Sequence, residues 1–157
     1  MPARSLLKKH PINIDDVFVK DLHIEGLIHP SEVKDEQEID YSIKIGHTDY
    51  STEEKFIVVG LILEVAENEK EKYHPPYNLK VEIVAKFNVD EDRFPVEQIN
   101  DWAGRNAPMI LYPYLREHVY ALTLRCGYPP LNLDLIEVPT FEIKKVKKKP
   151  VKTKKKK

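Results

Sequence analysis

The chain has 157 residues, 41% apolar and 32% charged, which suits one globular domain with a real core and a well-solvated surface. No apolar run reaches the ~18 residues of a membrane-spanning helix, and "MPARSLLKKHPIN" lacks the apolar stretch of a secretory signal. The single Cys126 excludes an internal disulfide and fits a reducing compartment, so a cytoplasmic protein without integral membrane contact is expected. The formal charge of −1 hides an asymmetry. Up to Ile143, 15 Lys and Arg face 26 Asp and Glu, a net of −11; from Lys144 to Lys157 there are ten lysines and no acid.

Residues 1–16 show no clear periodicity, and a flexible N-terminus is expected there. From Val17 to Glu25, Phe18, Leu22 and Ile24 alternate with Val19, Asp21, His23 and Glu25, the pattern of a strand with one acidic, solvated face. In "IDYSIKIGH", Ile39, Tyr41, Ile43 and Ile45 point inward and Asp40, Ser42 and Lys44 outward. "FIVVGLILEVAE" carries Ile57, Val59, Leu61, Leu63 and Val65 on one face and Phe56, Val58 and Ile62 on the other, as a central strand does. "NLKVEIVAKFNV" alternates again, Leu79, Val81, Ile83, Ala85 and Phe87 against Lys80, Glu82, Val84 and Lys86. The polar connections "TDYSTEE" and "ENEKEKYHPPY" suit hairpins, which gives a four-stranded, mostly antiparallel meander.

After the strands the period changes. Pro95 opens a short helix with Val96, Ile99, Trp102 and Ala103 near one face, and Gly104 ends or bends it. In "NAPMILYPYLREHVYALTLRCGYPPLNL", Asn106 to Leu133, a long helix begins, with Pro113 as a tolerated kink. At about 100° per residue, Leu111, Leu115, Val119, Leu122 and Cys126 share one side. Ile110, Tyr114, Tyr120, Ala121 and Leu124 share nearly the opposite one. His118 with Arg125, and Arg116 with Thr123, form polar seams between them. A helix apolar on two sides needs cover on two sides; one small sheet supplies one, so self-association through the second side is expected. The fold class is therefore α+β, an antiparallel sheet with a long helix on one face.

In "GYPPLNLDLIEVPTFEI", Pro129, Pro130 and Pro139 exclude helix and withhold ladder hydrogen bonds. Extended apolar residues there either line a groove for an extended peptide or plug the core. No catalytic constellation stands out. The six histidines lack metal-ligand spacing, Cys126 lacks a nucleophile signature and reads as a small core residue, and the five glycines form no phosphate loop. A non-enzyme without metal or cofactor is expected. Residues 143–157 read as a disordered lysine-rich tail able to meet nucleic acid or a ribosome, an acidic partner, anionic lipid or the acidic body itself. The body's −11 opposes a phosphate backbone, so no specific nucleic-acid partner is expected.

Two stretches carry a family resemblance. "FVKDLHIEG" looks like the first strand of the SecB export chaperones. "NAPMILYPYLREHVYALTLRCGYPPLNL" is similar to their helix and following loop, and the likeness spans Ile14 to Phe141. The resemblance implies a chaperone domain over residues 17–142 and a homotetramer, a dimer of dimers whose helices meet between dimers at Ile110, Tyr114, Tyr120, Ala121 and Leu124. It implies an ATP-independent holdase that binds unfolded precursor proteins in hydrophobic grooves and hands them to SecA. Groove candidates on that basis are Tyr128, Leu131, Leu133, Leu135, Ile136 and Phe141, and SecA contacts Asp21, Glu25 and Glu82. Typical members continue into an amphipathic C-terminal helix and a mildly acidic tail; "VPTFEIKKVKKKPVKTKKKK" replaces both, which leaves one groove wall in question. Service to a toxin–antitoxin system, holding an antitoxin, is the alternative within the family.

Overall fold

Strict alternation of apolar and polar residues builds the two central strands. In the computed structural model, which describes residues 7–137, β3 (Phe56–Val65) and β4 (Tyr77–Val89) bury every odd-numbered residue and leave the even-numbered ones partly open. They pair antiparallel with Ile57 opposite Phe87, Leu61 opposite Ile83 and Val65 opposite Leu79, so directly facing apolar side chains share one face. On that inner face sit α1 (Ile99–Arg105) and α2 (Ala107–Arg125). Leu111, Leu115 and Val119 of α2 are fully buried, and Trp102 of α1 packs edge-on to Phe87 at 5.2 Å. Pro113 lies inside α2, which runs unbroken through it, and α1 continues one residue past Gly104.

The sheet order is β1-β4-β3-β2, with β1 Ile12–Gly26 and β2 Ser42–His47, all neighbours antiparallel. This corrects the expected meander. Strands β2 to β4 do follow one another, but β1 lies on the far side of β4. The connection of residues 27–41 is long enough to carry the chain across the end of the sheet, so β1 gains the free edge of β4 while β2 and β1 become the two outer strands.

Strand β1 also departs from its expected extent and facing. It begins at Ile12, five residues before Val17, so residues 12–16 belong to the sheet. Register shifts fall between Ile14 and Asp16 and between Val19 and Asp21. Each bulge inserts one residue and reverses the facing of the residues after it. Val19 therefore sits opposite Ile83 on the inner face, and Phe18 sits opposite Val84 on the outer one, the reverse of the simple alternation.

Two helix expectations are corrected as well. Cys126 is exposed, because it lies at the C-terminal cap beyond the last buried turn. Thr123 is fully buried because the chain after α2 folds back over that seam. On β2, Ile45 is 52% exposed, since an outer strand is covered incompletely. Val138, Pro139, Phe141 and the lysine-rich tail lie outside the described residues.

Candidate binding surface

The second apolar side of α2 stands open. Ile110, Tyr114, Tyr120 and Leu124 are exposed and Ala121 is half-buried, all five on the stripe expected for self-association. Among the described residues nothing covers them. Beside them lies a second open apolar surface, the inner face of β1. Ile12, Ile14, Val17, Val19, Leu22 and Ile24 stand in register with Val89, Phe87, Ala85, Ile83, Val81 and Leu79. Six apolar residues thus extend the core face outward by one strand. Helix α2 packs over β3 and β4 and stops short of β1, so Ile14 is 37% and Leu22 48% exposed.

The chain after α2 decides which flank of the helix faces this ledge. It runs back along the helix on the Arg116 and Thr123 side. The Thr123 hydroxyl accepts the Leu131 N–H at 3.0 Å, and Arg116 donates to the Leu133 carbonyl at 2.9 Å and to the Asn132 amide oxygen at 3.0 Å. The Tyr112 hydroxyl donates to the Asp134 carbonyl. Asp134 donates its N–H to Tyr41, the residue before β2, at 3.2 Å. The loop therefore seals the β2 side. The opposite flank, with Tyr114 exposed and His118 and Ala121 half-buried, is left open on the side of the sheet where β1 lies.

The loop residues named from the sequence divide. Tyr128 and Leu133 are core residues, 6% and 1% exposed, and their assignment to an open groove is corrected. Tyr128 is buried against Tyr77 with ring centroids 4.9 Å apart, and its hydroxyl donates to Ile28. Leu131 is half-buried against the core, whereas Leu135 and Ile136 are 82% and 42% exposed. Phe141 falls outside the described residues. The β1 ledge was missed, although a signal existed. Apolar residues at 12, 14, 17, 19, 22 and 24 keep a spacing of two broken by two spacings of three, the mark of a twice-bulged strand.

On the outer face, Asp21 stands directly opposite Glu82. Lys80 bridges Asp21 at 3.2 Å and Lys20 bridges Glu82 at 3.3 Å, so both carboxylates carry a lysine partner. The hydrogen bond and charge of Asp21 raise the Lys80 ammonium above its ordinary range. Glu25 lies further along the same face of β1, opposite Asn78. Among the described residues no cluster of three His, Cys, Asp or Glu could hold a metal ion, and no helix is long and apolar enough to cross a membrane.

Residues 7–148 match the family described as Preprotein translocase subunit SecB. The chain belongs to the SecB family. It is 28% identical over 139 residues to the protein-export protein SecB of Rickettsia rickettsii, covering 86% of this chain and 88% of that one. To the SecB of Dinoroseobacter shibae it is 26% identical over 121 residues, 76% of this chain and 69% of that one. Its fold is similar to a SecB-like chaperone of Mycobacterium tuberculosis solved with a peptide from an antitoxin, with a TM-score of 0.64 at 23% identity, covering 83% of this chain and 94% of that one. The SecB fold is here a four-stranded antiparallel sheet with one long helix.

Proposed function

We propose that this SecB-family chain is an export chaperone, an ATP-independent holdase that binds unfolded polypeptide and keeps it competent for translocation. The observation that carries this reading is the inner face of β1, six apolar residues in register with the core, of which Ile14 and Leu22 stand exposed and Val17, Val19 and Ile24 half-buried. An extended client laid there exchanges water contact for apolar contact, at about 25 cal/mol per Å2. The outer edge of β1 offers backbone groups that add affinity without reading sequence. No nucleotide is needed, because preferential binding of the unfolded form shifts the folding equilibrium by mass action.

Self-association divides the remaining apolar surface. In this reading Ile110, Tyr114, Tyr120, Ala121 and Leu124 meet their counterparts between dimers of a homotetramer. Leu135 and Ile136, exposed on the loop along the other flank of α2, offer the client a second apolar surface; Phe141 is named from the sequence for the same role. Asp21, Glu25 and Glu82 form the SecA-facing patch on the opposite side of the sheet, so client and translocase occupy different faces.

The test is suppression of aggregation of a chemically denatured client, without ATP, by the native chain and by Leu22→Glu and Ile14→Glu. Both positions are open to solvent, so both variants are expected to fold. Losing one leucine contact costs about 2 kcal/mol, some thirtyfold in client affinity. A native chain with no effect on the client sinks the reading, as do ledge variants that hold the client as well as native. Polypeptides captured from the native cytosol separate the recipients: a set of secreted precursors supports export, and one dominant small protein points to a dedicated antitoxin.

A further inference from the structure

Residues 129–136 run back along α2 without joining any strand. Among the described residues, no backbone–backbone hydrogen bond holds them. The run Leu131-Asn132-Leu133-Asp134-Leu135 puts a leucine at every second position, the pattern of an extended chain with one apolar side. Leu133 is buried between α2 and the start of β2, Leu131 is half-buried, and Asn132, Asp134 and Leu135 stand exposed.

What holds this strap is a set of side chains that read its backbone. Thr123 accepts the Leu131 N–H, Arg116 donates to the Leu133 carbonyl, Tyr41 accepts the Asp134 N–H, and Tyr112 donates to the Asp134 carbonyl. Backbone groups within residues 131–134 are thus met by side chains, and every polypeptide carries such groups. Of the strap's own side chains, Leu133 enters the core, Asn132 meets Arg116, and Asp134 meets Tyr41. The wall also survives the strap's departure. The Thr123 hydroxyl donates to the Val119 and Tyr120 carbonyls at 2.9 and 3.1 Å, so no buried donor is orphaned there when the strap leaves.

We propose that the slot between α2 and the start of β2 is a peptide site, and that residues 129–136 occupy it as a built-in competitor. Its ligand is an extended polypeptide with leucine at alternate positions, held chiefly through its backbone. The strap is tethered at a local concentration on the order of millimolar, so a dilute short peptide is kept out. A client already held at the β1 ledge is tethered too, and it meets the strap on equal terms. That consequence rests on the chaperone reading, whereas the slot itself does not. At rest the strap keeps an apolar slot from facing water.

The test is binding of a fluorescent peptide with the sequence of residues 129–137 to the full chain, read by anisotropy. Native protein is expected to bind it weakly. Leu133→Asp empties the slot and leaves its walls unchanged, and binding at least about tenfold tighter is expected. Asp134→Pro removes from the strap the N–H that Tyr41 accepts, so a folding defect in Leu133→Asp leaves the result decidable. Adding Arg116→Lys to either strap variant should weaken the peptide about tenfold. A peptide with aspartate in place of the leucine at position 133 should not bind. Strap variants that bind no better than native, or binding that ignores Arg116→Lys, overturn the proposal. The peptide assay uses neither Leu22 nor Ile14, so its failure is distinct from a failure of the β1 ledge.

Discussion

The hydroxyl of Thr123, buried within α2, accepts the backbone N–H of Leu131 at 3.0 Å while donating to the Val119 carbonyl at 2.9 Å. This one side chain fastens the returning loop to the helix. Thr123→Val keeps the shape and removes the acceptor, leaving the Leu131 N–H without its partner. A loss of about 1–3 kcal/mol is expected, read as a lower urea midpoint at unchanged slope. A change below the error of the midpoint would show that the loop is held elsewhere.

Arg116 holds the loop at a second point through two donors in a fixed fork. Lysine has a single charged head and cannot reach both acceptors in that geometry. Arg116→Lys is therefore expected to loosen the loop locally, with amides of residues 131–137 exchanging about tenfold faster, which corresponds to roughly 1.4 kcal/mol of local opening. Amides of β3 and β4 should be unchanged. Equal acceleration in both regions would mean that Arg116 supports the whole domain.

Gly26 ends β1 where Tyr128 crosses it, and a Cβ there would overlap the Tyr128 hydroxyl. Gly26→Ala must push that hydroxyl off the Ile28 carbonyl, to which it donates at 2.8 Å. A loss of about 2 kcal/mol in stability is expected from overpacking and the broken bond together. Adding Tyr128→Phe removes the overlapping atom, so the double variant should cost less than the sum of the singles. Additive costs would disprove the contact.

Alkaline pH should unfold the domain through its tyrosines. Burial, then the neighbouring Tyr73 and Tyr128, push Tyr77 up from 10.0 to about 12. Burial, then the hydrogen bond and charge of Glu91, push Tyr50 up to about 12. Because the neutral phenol is favoured in the fold, the unfolded chain loses these protons first as pH rises. Stability is thus fully present below pH 10 and declines between 10 and about 12. Denaturation midpoints across that window should fall, and fall less in Tyr77→Phe; a midpoint flat to pH 12 contradicts the assignment.

Much of this could be read from residues alone where local pattern and tertiary demand coincide. The alternation in Ile57–Val65 and Leu79–Phe87 survives because both strands are central and covered by helices on one face. The two-sided pattern of α2 likewise reports its real environment, with Leu115 buried and Tyr114 open. Strand β1 was legible only in part, since two inserted residues shift its phase and a period of two cannot follow it. The loop misled differently. Leu133 and Leu135 are the same residue type two positions apart, 1% and 82% exposed, and the difference comes from Arg116 holding the carbonyl of the first. No sequence window contains that partner.

The bulges of β1 also bear on colloidal behaviour. An outer strand fifteen residues long, apolar on one face, is a ready template for open-ended strand addition between molecules. Two bulges break its hydrogen-bonding ladder into short, twisted runs, too brief to template a growing stack. Such a face can stay bare and the protein dispersed because the edge beside it is spoiled for polymerisation.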